Sequence, residues 1–160
     1  MEIALADEAA TLALGAALAS GAAGGGVVHL SGDLGAGKTT LARGLLRAFG
    51  WDGAVKSPTY TLVELYELSS LNLYHFDLFR FNEASEWLSS GFGEILDENA
   101  LALIEWPERA KGFLPPADLS VQLAISGSGR SAWLEAQSAL GAAWLGLLRS
   151  RWPPHLPPPA

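Results

Sequence analysis

The chain has 160 residues, of which 49% are apolar and 17% are charged. This balance and length favour one packed hydrophobic core over a disordered chain. The formal net charge of −7 disfavours a tight nucleic-acid-binding surface, because acidic side chains repel phosphodiester backbones. The chain has no cysteine, which excludes disulfides, zinc–thiolate sites and cysteine nucleophiles.

The sequence pattern carries no sign of export or of membrane insertion. The first residues have neither the basic segment nor the apolar stretch of a signal peptide. The longest apolar runs are interrupted by glycine, serine or charged residues well before they reach the length of a membrane span. We therefore expect a cytoplasmic protein with no membrane contact.

The first predicted element is a helix rich in alanine and leucine, with Asp7 as its N-cap, that runs to about residue 20. Three glycines then lead into an apolar run at residues 27–30, which is typical of a buried parallel strand. A second helix is predicted over residues 40–49, before Gly50. A glycine-rich loop lies between them, so the chain order here is strand, loop, helix.

The second half of the chain is richer in predicted strands, with a short helix around residues 83–88 and a final helix to about residue 148. In chain order, the strand candidates are residues 61–68, 71–78, 101–104, 119–125 and 131–136. The first two and the last two are separated by short turns and predict two antiparallel hairpins. The apolar third candidate predicts another buried strand, with Glu105 at its carboxyl end.

These elements predict an α/β fold of the P-loop NTPase type, with three layers and a mostly parallel central sheet carrying antiparallel hairpin additions. Residues 1–150 are expected to form one domain. Five of the last eight residues are proline, so residues 151–160 are expected to form an unpacked tail.

Residues 32–39, GDLGAGKT, match the phosphate-binding pattern G-x-x-x-x-G-K-[ST] at every defined position. A glycine-rich turn lets successive N–H groups converge on phosphate oxygens, and the helix behind it adds the positive end of its dipole. We expect Lys38 to reach the β and γ phosphates and the Thr39 hydroxyl to bind Mg²⁺. The other nucleotide-binding positions predicted around this loop are Asp33, Gly35, Ala36, Gly37 and Thr40.

A P-loop site also needs a carboxylate at the end of a core strand, to hold magnesium directly or through water. Asp77 and Glu105 are the two candidates, because each follows an apolar strand. The local pattern alone is equally compatible with exposed acids at strand ends. The guanine-specific pattern N-K-x-D does not occur in the sequence, which favours an adenine nucleotide.

The segment between the second helix and the first hairpin contains Ser57, Pro58 and Thr59. A loop with such hydroxyls closes on the γ-phosphate and metal in GTPases. An ordinary turn with Pro58 at its second position explains the same residues. His75, two residues before Asp77, is equally compatible with a purely structural role.

Four segments, GDLGAGKTTL, VKSPTYTLVE, YHFDLFR and IEWPE, occur in this order and closely resemble the bacterial TsaE family, formerly YjeE. The resemblance runs from about Asp7 to Arg149. Members of this family are small P-loop ATPases required for making threonylcarbamoyladenosine, the modified adenosine beside the anticodon of tRNAs that read codons beginning with A. The resemblance therefore implies ATP and Mg²⁺ as ligands.

The resemblance also implies roles for individual residues. Lys38 and the loop amides would hold the ATP phosphates, and Thr39 would bind magnesium. Asp77 and Glu105 would hold the metal or support hydrolysis, so that Lys38, Asp77 and Glu105 form the catalytic set. Trp106 would lie close to the nucleotide.

Three further positions of the resemblance lie outside this set. Thr59 would belong to a switch-like loop, and Arg80 would contact phosphates or a partner. Phe79 departs from the family pattern, which usually has tyrosine there, so this chain lacks that hydroxyl.

For the whole protein, the resemblance implies that ATP hydrolysis resets a TsaD–TsaB assembly, with tRNA contacted only indirectly through that assembly. Hydrolysis by the isolated chain is expected to be slow, because no arginine finger is evident in the sequence. A P-loop small-molecule kinase remains an alternative, as does an interaction module that is gated by nucleotide binding without hydrolysis.

Overall fold

The computed structural model describes residues 1–152, so residues 153–160 of the predicted tail lie outside the described residues. The helices are α1 (Glu8–Ala22), α2 (Lys38–Ala48), α3 (Glu86–Ser89) and α4 (Ala139–Arg151). The strands are β1 (Glu2–Leu5), β2 (Gly26–Ser31), β3 (Val63–Glu67), β4 (Asn72–Asp77), β5 (Ala100–Glu105), β6 (Leu119–Ser126) and β7 (Gly129–Ala136). Arg151, which was assigned to the tail, is the last residue of α4.

The strands form a seven-stranded sheet in the order β1-β7-β6-β2-β5-β4-β3. The four central strands, β6, β2, β5 and β4, are parallel to their neighbours within this group. The outer strands β1, β7 and β3 pair antiparallel. This arrangement confirms the predicted α/β fold with a parallel centre and antiparallel additions.

The sheet separates two apolar layers. On one face, α1, α2 and α4 pack against alternate side chains of the central strands, including Leu30, Leu101 and Leu103. On the other face, α3 and two short 3₁₀ turns cover Phe76 and Ile104. The strand β5 is covered on both faces, and all six of its residues are buried, as is usual for the centre of a parallel sheet.

The local signals for α1 were correct at its start and wrong at its end. The carboxylate of Asp7 accepts a hydrogen bond of 2.8 Å from the amide of Ala10, which is the expected N-cap. The helix continues through Gly21 to Ala22, because a tryptophan of α4 packs directly against that glycine.

Two other expectations need correction. The edge strand β1 was not predicted, and it pairs with β7 over four residues. The helix expected at residues 83–88 is only the single turn α3. The Glu86 carboxylate accepts hydrogen bonds from the amides of Asn82 and Glu83, and these bonds hold the preceding residues in a turn instead of a helix.

The register of the central strands brings their carboxyl ends to one edge of the sheet. Glu105 lies opposite Leu30 of β2 on one side and opposite Asp77 of β4 on the other. The loop that follows β2 therefore starts beside both carboxylates. Within residues 1–152, no helix is long and apolar enough to cross a membrane.

Candidate nucleotide-binding site

A cavity of about 350 Å³ lies at this edge of the sheet. Its walls come from the glycine-rich loop and the start of α2, the ends of β4 and β5, the loop before β3, the start of α1 and the β6–β7 hairpin. Five of the seven positions predicted around the phosphate loop line it: Gly35, Gly37, Lys38, Thr39 and Thr40. The structure thus brings most of the predicted nucleotide-binding residues together.

The other two predicted loop positions, Asp33 and Ala36, belong to the same turn but not to the cavity wall. The amide of Ala36 donates a hydrogen bond of 3.0 Å to the Asp33 carbonyl, and the Ala36 methyl group is buried in the core. Gly37 has a φ of 106° immediately before α2, a left-handed conformation that glycine adopts without strain. The first amides of α2 therefore stand at a turn that opens on the cavity.

Lys38 is only 7% exposed, although it carries an ammonium group. Its Nζ donates hydrogen bonds to the carbonyls of Gly32 and Asp33, the latter at 3.1 Å, and lies 4.5 Å from the ring centroid of Trp106. Burial lowers the pKa of this ammonium group, while nearby carboxylates, first among them Glu105, act in the opposite direction. Lys38 is thus a buried cation within the phosphate-binding turn.

Asp77 is also buried, and both of its carboxylate oxygens accept hydrogen bonds. Oδ2 accepts from the hydroxyls of Thr59 at 3.0 Å and Ser57 at 3.3 Å, and Oδ1 accepts from the amide of Phe79 at 3.0 Å. The local pattern left open whether residues 57–59 form an ordinary turn or a loop directed at the site. The hydroxyls of this loop face Asp77 and line the same cavity.

Glu105 differs from Asp77 in its surroundings, although the two residues are opposite each other in the sheet. Glu105 is 2% exposed, and its Oε1 has no hydrogen-bond partner among the described residues. Its Oε1 lies 3.5 Å from Nε2 of His75. The site therefore pairs a carboxylate that is fully hydrogen-bonded with one that retains a free oxygen.

Trp106 follows Glu105 with φ 56° and ψ 49°, a left-handed conformation that is uncommon for a bulky residue. This backbone turn directs the indole ring to the cavity wall, next to Lys38. Phe79 packs against it with ring centroids 5.0 Å apart. The residue in which this chain departs from the family pattern thus supports Trp106 through an apolar contact.

The donor set at this edge fits a magnesium ion. Thr39, Asp77 and Glu105 all line the cavity and offer one hydroxyl and two carboxylates. Mg²⁺ prefers oxygen ligands and is held by one or two carboxylates together with water and substrate phosphates. Among the described residues, no cluster of three or more histidine, cysteine, aspartate or glutamate side chains forms a cage that would hold a metal by itself.

Arg130, which was not predicted as a site residue, comes from the β6–β7 hairpin and lines the cavity. Its Nη2 donates a hydrogen bond of 2.9 Å to the Gly35 carbonyl, 95 residues away in the chain. The hairpin reaches the phosphate loop because β6 pairs in parallel with β2 and extends past its end. The one local signal was an arginine that follows Gly127 and Gly129 in a hairpin turn. It indicates a site residue only once the strand order is known.

Arg80, by contrast, lies outside the cavity wall. Its guanidinium carbon stands 4.0 Å from the ring centroid of Tyr60, whose side chain is 81% exposed. The stacked pair therefore belongs to the outer surface of the loop that carries Thr59.

Comparisons with known proteins agree with this architecture. The sequence model of the family described as threonylcarbamoyl adenosine biosynthesis protein TsaE matches residues 5–132. The chain is 46% identical to the tRNA threonylcarbamoyladenosine biosynthesis protein TsaE of Haemophilus influenzae, over 72% of this chain and 73% of that protein. It is 39% identical to the protein of the same name from Nostoc sp., over 80% of each chain.

The crystal structure of YdiB from Bacillus subtilis superimposes with a TM-score of 0.76 and covers 94% of both chains at 24% identity. At this identity the similarity supports the fold. The family match spans the phosphate loop, Asp77 and Glu105, and the identities to the curated relatives extend over most of the sequence. The chain belongs to the TsaE family.

Proposed function

We propose that this protein binds and hydrolyses magnesium-ATP as a component of tRNA threonylcarbamoyladenosine biosynthesis. The observation that carries the proposal is that one cavity collects the phosphate loop with Lys38 and Thr39 and the two strand-end carboxylates, Asp77 and Glu105. Phosphoryl transfer requires little covalent chemistry from the protein and depends on positioning and charge stabilisation. These residues supply both requirements.

In this proposal the loop amides and the Lys38 ammonium group bind the β and γ phosphates. Thr39, Asp77 and Glu105 would hold magnesium directly or through water, and the bound ion would offset the negative charge of the phosphates. Glu105 would also orient the attacking water, since its carboxylate lines the same cavity. Its neighbour Asp77 would connect the metal to Thr59.

The nucleoside would occupy the opposite end of the cavity, where the start of α1 and the β6–β7 hairpin form the wall. Glu8 and Thr11 lie on the helix side, and Ser128 and Arg130 lie on the hairpin side. Carboxylate and hydroxyl oxygens accept hydrogen bonds from the exocyclic amine that adenine and guanine both carry. The preference for ATP therefore rests on the absence of the guanine-specific pattern N-K-x-D from the sequence.

Arg130 gives the site a guanidinium group within the same chain, which would contact phosphate oxygens or the ribose. The exposed pair of Tyr60 and Arg80 and the exposed side chain of Leu34, beside the phosphate loop, would face a protein partner. Under the family interpretation that partner is the TsaD–TsaB assembly, with tRNA reached through it. Hydrolysis would reset this assembly between turnovers.

Nucleotide binding can be tested by titrating the protein with fluorescent ATP and GTP analogues, with and without magnesium. We expect magnesium-dependent binding that favours the adenine nucleotide and is lost in Lys38→Ala. A Lys38→Ala protein that bound as tightly as the wild type would contradict the assignment of residues 32–39 as the phosphate cradle.

The role in tRNA modification can be tested with purified TsaD–TsaB, tRNA and the threonylcarbamoyl donor. If hydrolysis resets the assembly, multiple turnovers require this chain with ATP, and the Lys38→Ala chain supports about one turnover per assembly. Full multiple turnover with Lys38→Ala would contradict a resetting role.

A further inference from the structure

His75 occupies a position in β4 whose neighbours on the same face of the sheet are leucines. Side chains on this face of β4 and β5 include Leu73, Leu101 and Leu103, all buried in the same apolar cluster. His75 lies in register with Leu103 and is itself completely buried. The polar ring of His75 therefore stands among apolar side chains. His75 lies two residues before Asp77 in β4, and its strand partner Leu103 lies two residues before Glu105 in β5.

Neither ring nitrogen of His75 has a hydrogen-bond partner among residues 1–152. Glu105 Oε1, which lies 3.5 Å from His75 Nε2, is likewise buried and without a partner among these residues. More than nine in ten buried polar groups in proteins are hydrogen-bonded, because removing them from water without a partner is costly. His75 Nε2 and Glu105 Oε1 are 3.5 Å apart, slightly beyond hydrogen-bond distance. Two unpaired groups at this separation indicate that they can form a hydrogen bond with each other.

The distance between His75 Nε2 and Glu105 Oε1 is short enough for a hydrogen bond to form without backbone movement. An N–H···O hydrogen bond spans about 2.7–3.2 Å, so a small rotation of the Glu105 side chain would bring Oε1 within range of Nε2. Both residues sit on paired central strands, which hold their backbones in fixed register. A rotation of the Glu105 side chain is therefore enough to form the hydrogen bond.

We propose that His75 is a positioning residue that donates its Nε2–H to Glu105 Oε1 and thereby holds the other carboxylate oxygen toward the cavity. This inference rests on the proposed function, in which Glu105 orients water and magnesium. Partners behind a ligand or base fix its orientation and are often needed for full activity. A leucine at this position would pack equally well but would leave the Glu105 carboxylate free to rotate.

The substitutions His75→Leu and His75→Gln separate positioning from packing. Leucine removes the donor and matches the apolar neighbours, whereas glutamine places an amide N–H near the position of Nε2. We expect His75→Leu to fold but to unfold at a somewhat lower temperature than the wild type, because the buried Glu105 Oε1 loses its proposed donor. Its Kd for magnesium-ATP should stay within about threefold of the wild type, and its kcat should fall by about tenfold, the factor associated with one hydrogen bond to a charged group.

His75→Gln should recover most of the lost kcat if a donor to Glu105 is what matters. A His75→Leu protein with unchanged kcat would overturn the proposal. The proposal fails equally if His75→Gln is no better than His75→Leu, or if kcat is lost only in proportion to binding or thermal stability.

A second readout does not depend on hydrolysis. In protein labelled with ¹⁵N-histidine, at one neutral pH, the His75 signals are assigned by their loss in His75→Gln. We expect the proton on Nε2, and we expect the Nε2 resonance to move in Glu105→Met. A proton on Nδ1, or an Nε2 resonance unaffected by Glu105→Met, would overturn the contact. Because this experiment is done without nucleotide, it remains decisive even if the protein proved not to hydrolyse ATP.

Discussion

Arg130→Met removes a guanidinium group that joins the β6–β7 hairpin to the phosphate loop. In the ligand-free protein the loss is two hydrogen bonds, from Nη2 to the Gly35 carbonyl at 2.9 Å and from Nη1 to the neighbouring Gly129 carbonyl at 2.8 Å. Two such bonds contribute about 1–2 kcal/mol. Since 1 kcal/mol corresponds to about 2–4 °C in a domain of this size, the Tm should fall by less than about 8 °C.

The effect on nucleotide binding should be much larger, if the guanidinium group contacts the ligand as proposed. A hydrogen bond to a charged group contributes about 1.5–3 kcal/mol, which corresponds to a Kd weakened by about 10- to 100-fold. Fluorescence titration with an ATP analogue and thermal unfolding of the same samples measure the two effects side by side.

Arg43→Met is the matched control for this prediction. Arg43 lies on α2, pairs with the Glu8 carboxylate at 3.5 Å and is not part of the cavity wall. It carries the same charge, so a general electrostatic effect would weaken binding equally in both variants. Equal Kd values for Arg130→Met and Arg43→Met would refute a direct role for Arg130.

Three further predictions concern the phosphate turn and the loop facing it. Gly32→Ala should lower the Tm by about 4 °C or more and weaken ATP binding, because φ is 150° and the new Cβ would lie 2.6 Å from a carbonyl oxygen of β6; an unchanged Tm would contradict this. Thr59→Val should lower the Tm of the ligand-free protein by about 2–8 °C, because it removes a hydrogen bond to the buried Asp77 carboxylate. Its control is Thr61→Val, which removes a hydrogen bond between exposed side chains and should have little effect; equal Tm losses would contradict the assignment. The pKa of Lys38 is lowered by burial, so the folded protein releases this proton before the unfolded chain does. The free energy of unfolding of the wild type minus that of Lys38→Met, measured by urea unfolding, should therefore rise as pH increases toward about 10.5. The same pH dependence of this free energy in both proteins would contradict the prediction.

The predicted site residues that the structure brings together at the cavity are mostly encoded by contiguous segments. The apolar strand β2, the glycine turn and α2 follow one another directly, and Glu105 ends a continuous apolar run. Strand ends of a parallel sheet meet at one edge, so the proximity of Glu105 to the loop followed from the fold class. These features required no knowledge of strand order.

The features that were missed or left open depend on long-range pairing. Arg130 reaches Gly35 only because β6 lies next to β2, which local patterns do not specify. The strand β1 is four residues long, and its role depends on pairing with β7 at the other end of the chain. Likewise, Ser57 and Thr59 acquire a defined role only through the carboxylate of Asp77, which the antiparallel pairing of β3 and β4 brings beside them.

The most direct test of the proposed function is phosphate release from magnesium-ATP by the wild type and by Lys38→Ala, with and without purified TsaD and TsaB. We predict slow release by the wild type alone, a changed rate when both partners are present, and none from Lys38→Ala under either condition. Lys38-dependent release that ignored both partners would contradict the link to tRNA modification, and transfer of the phosphate to a small molecule would favour a kinase instead. Release that persisted in Lys38→Ala would contradict the proposed site itself.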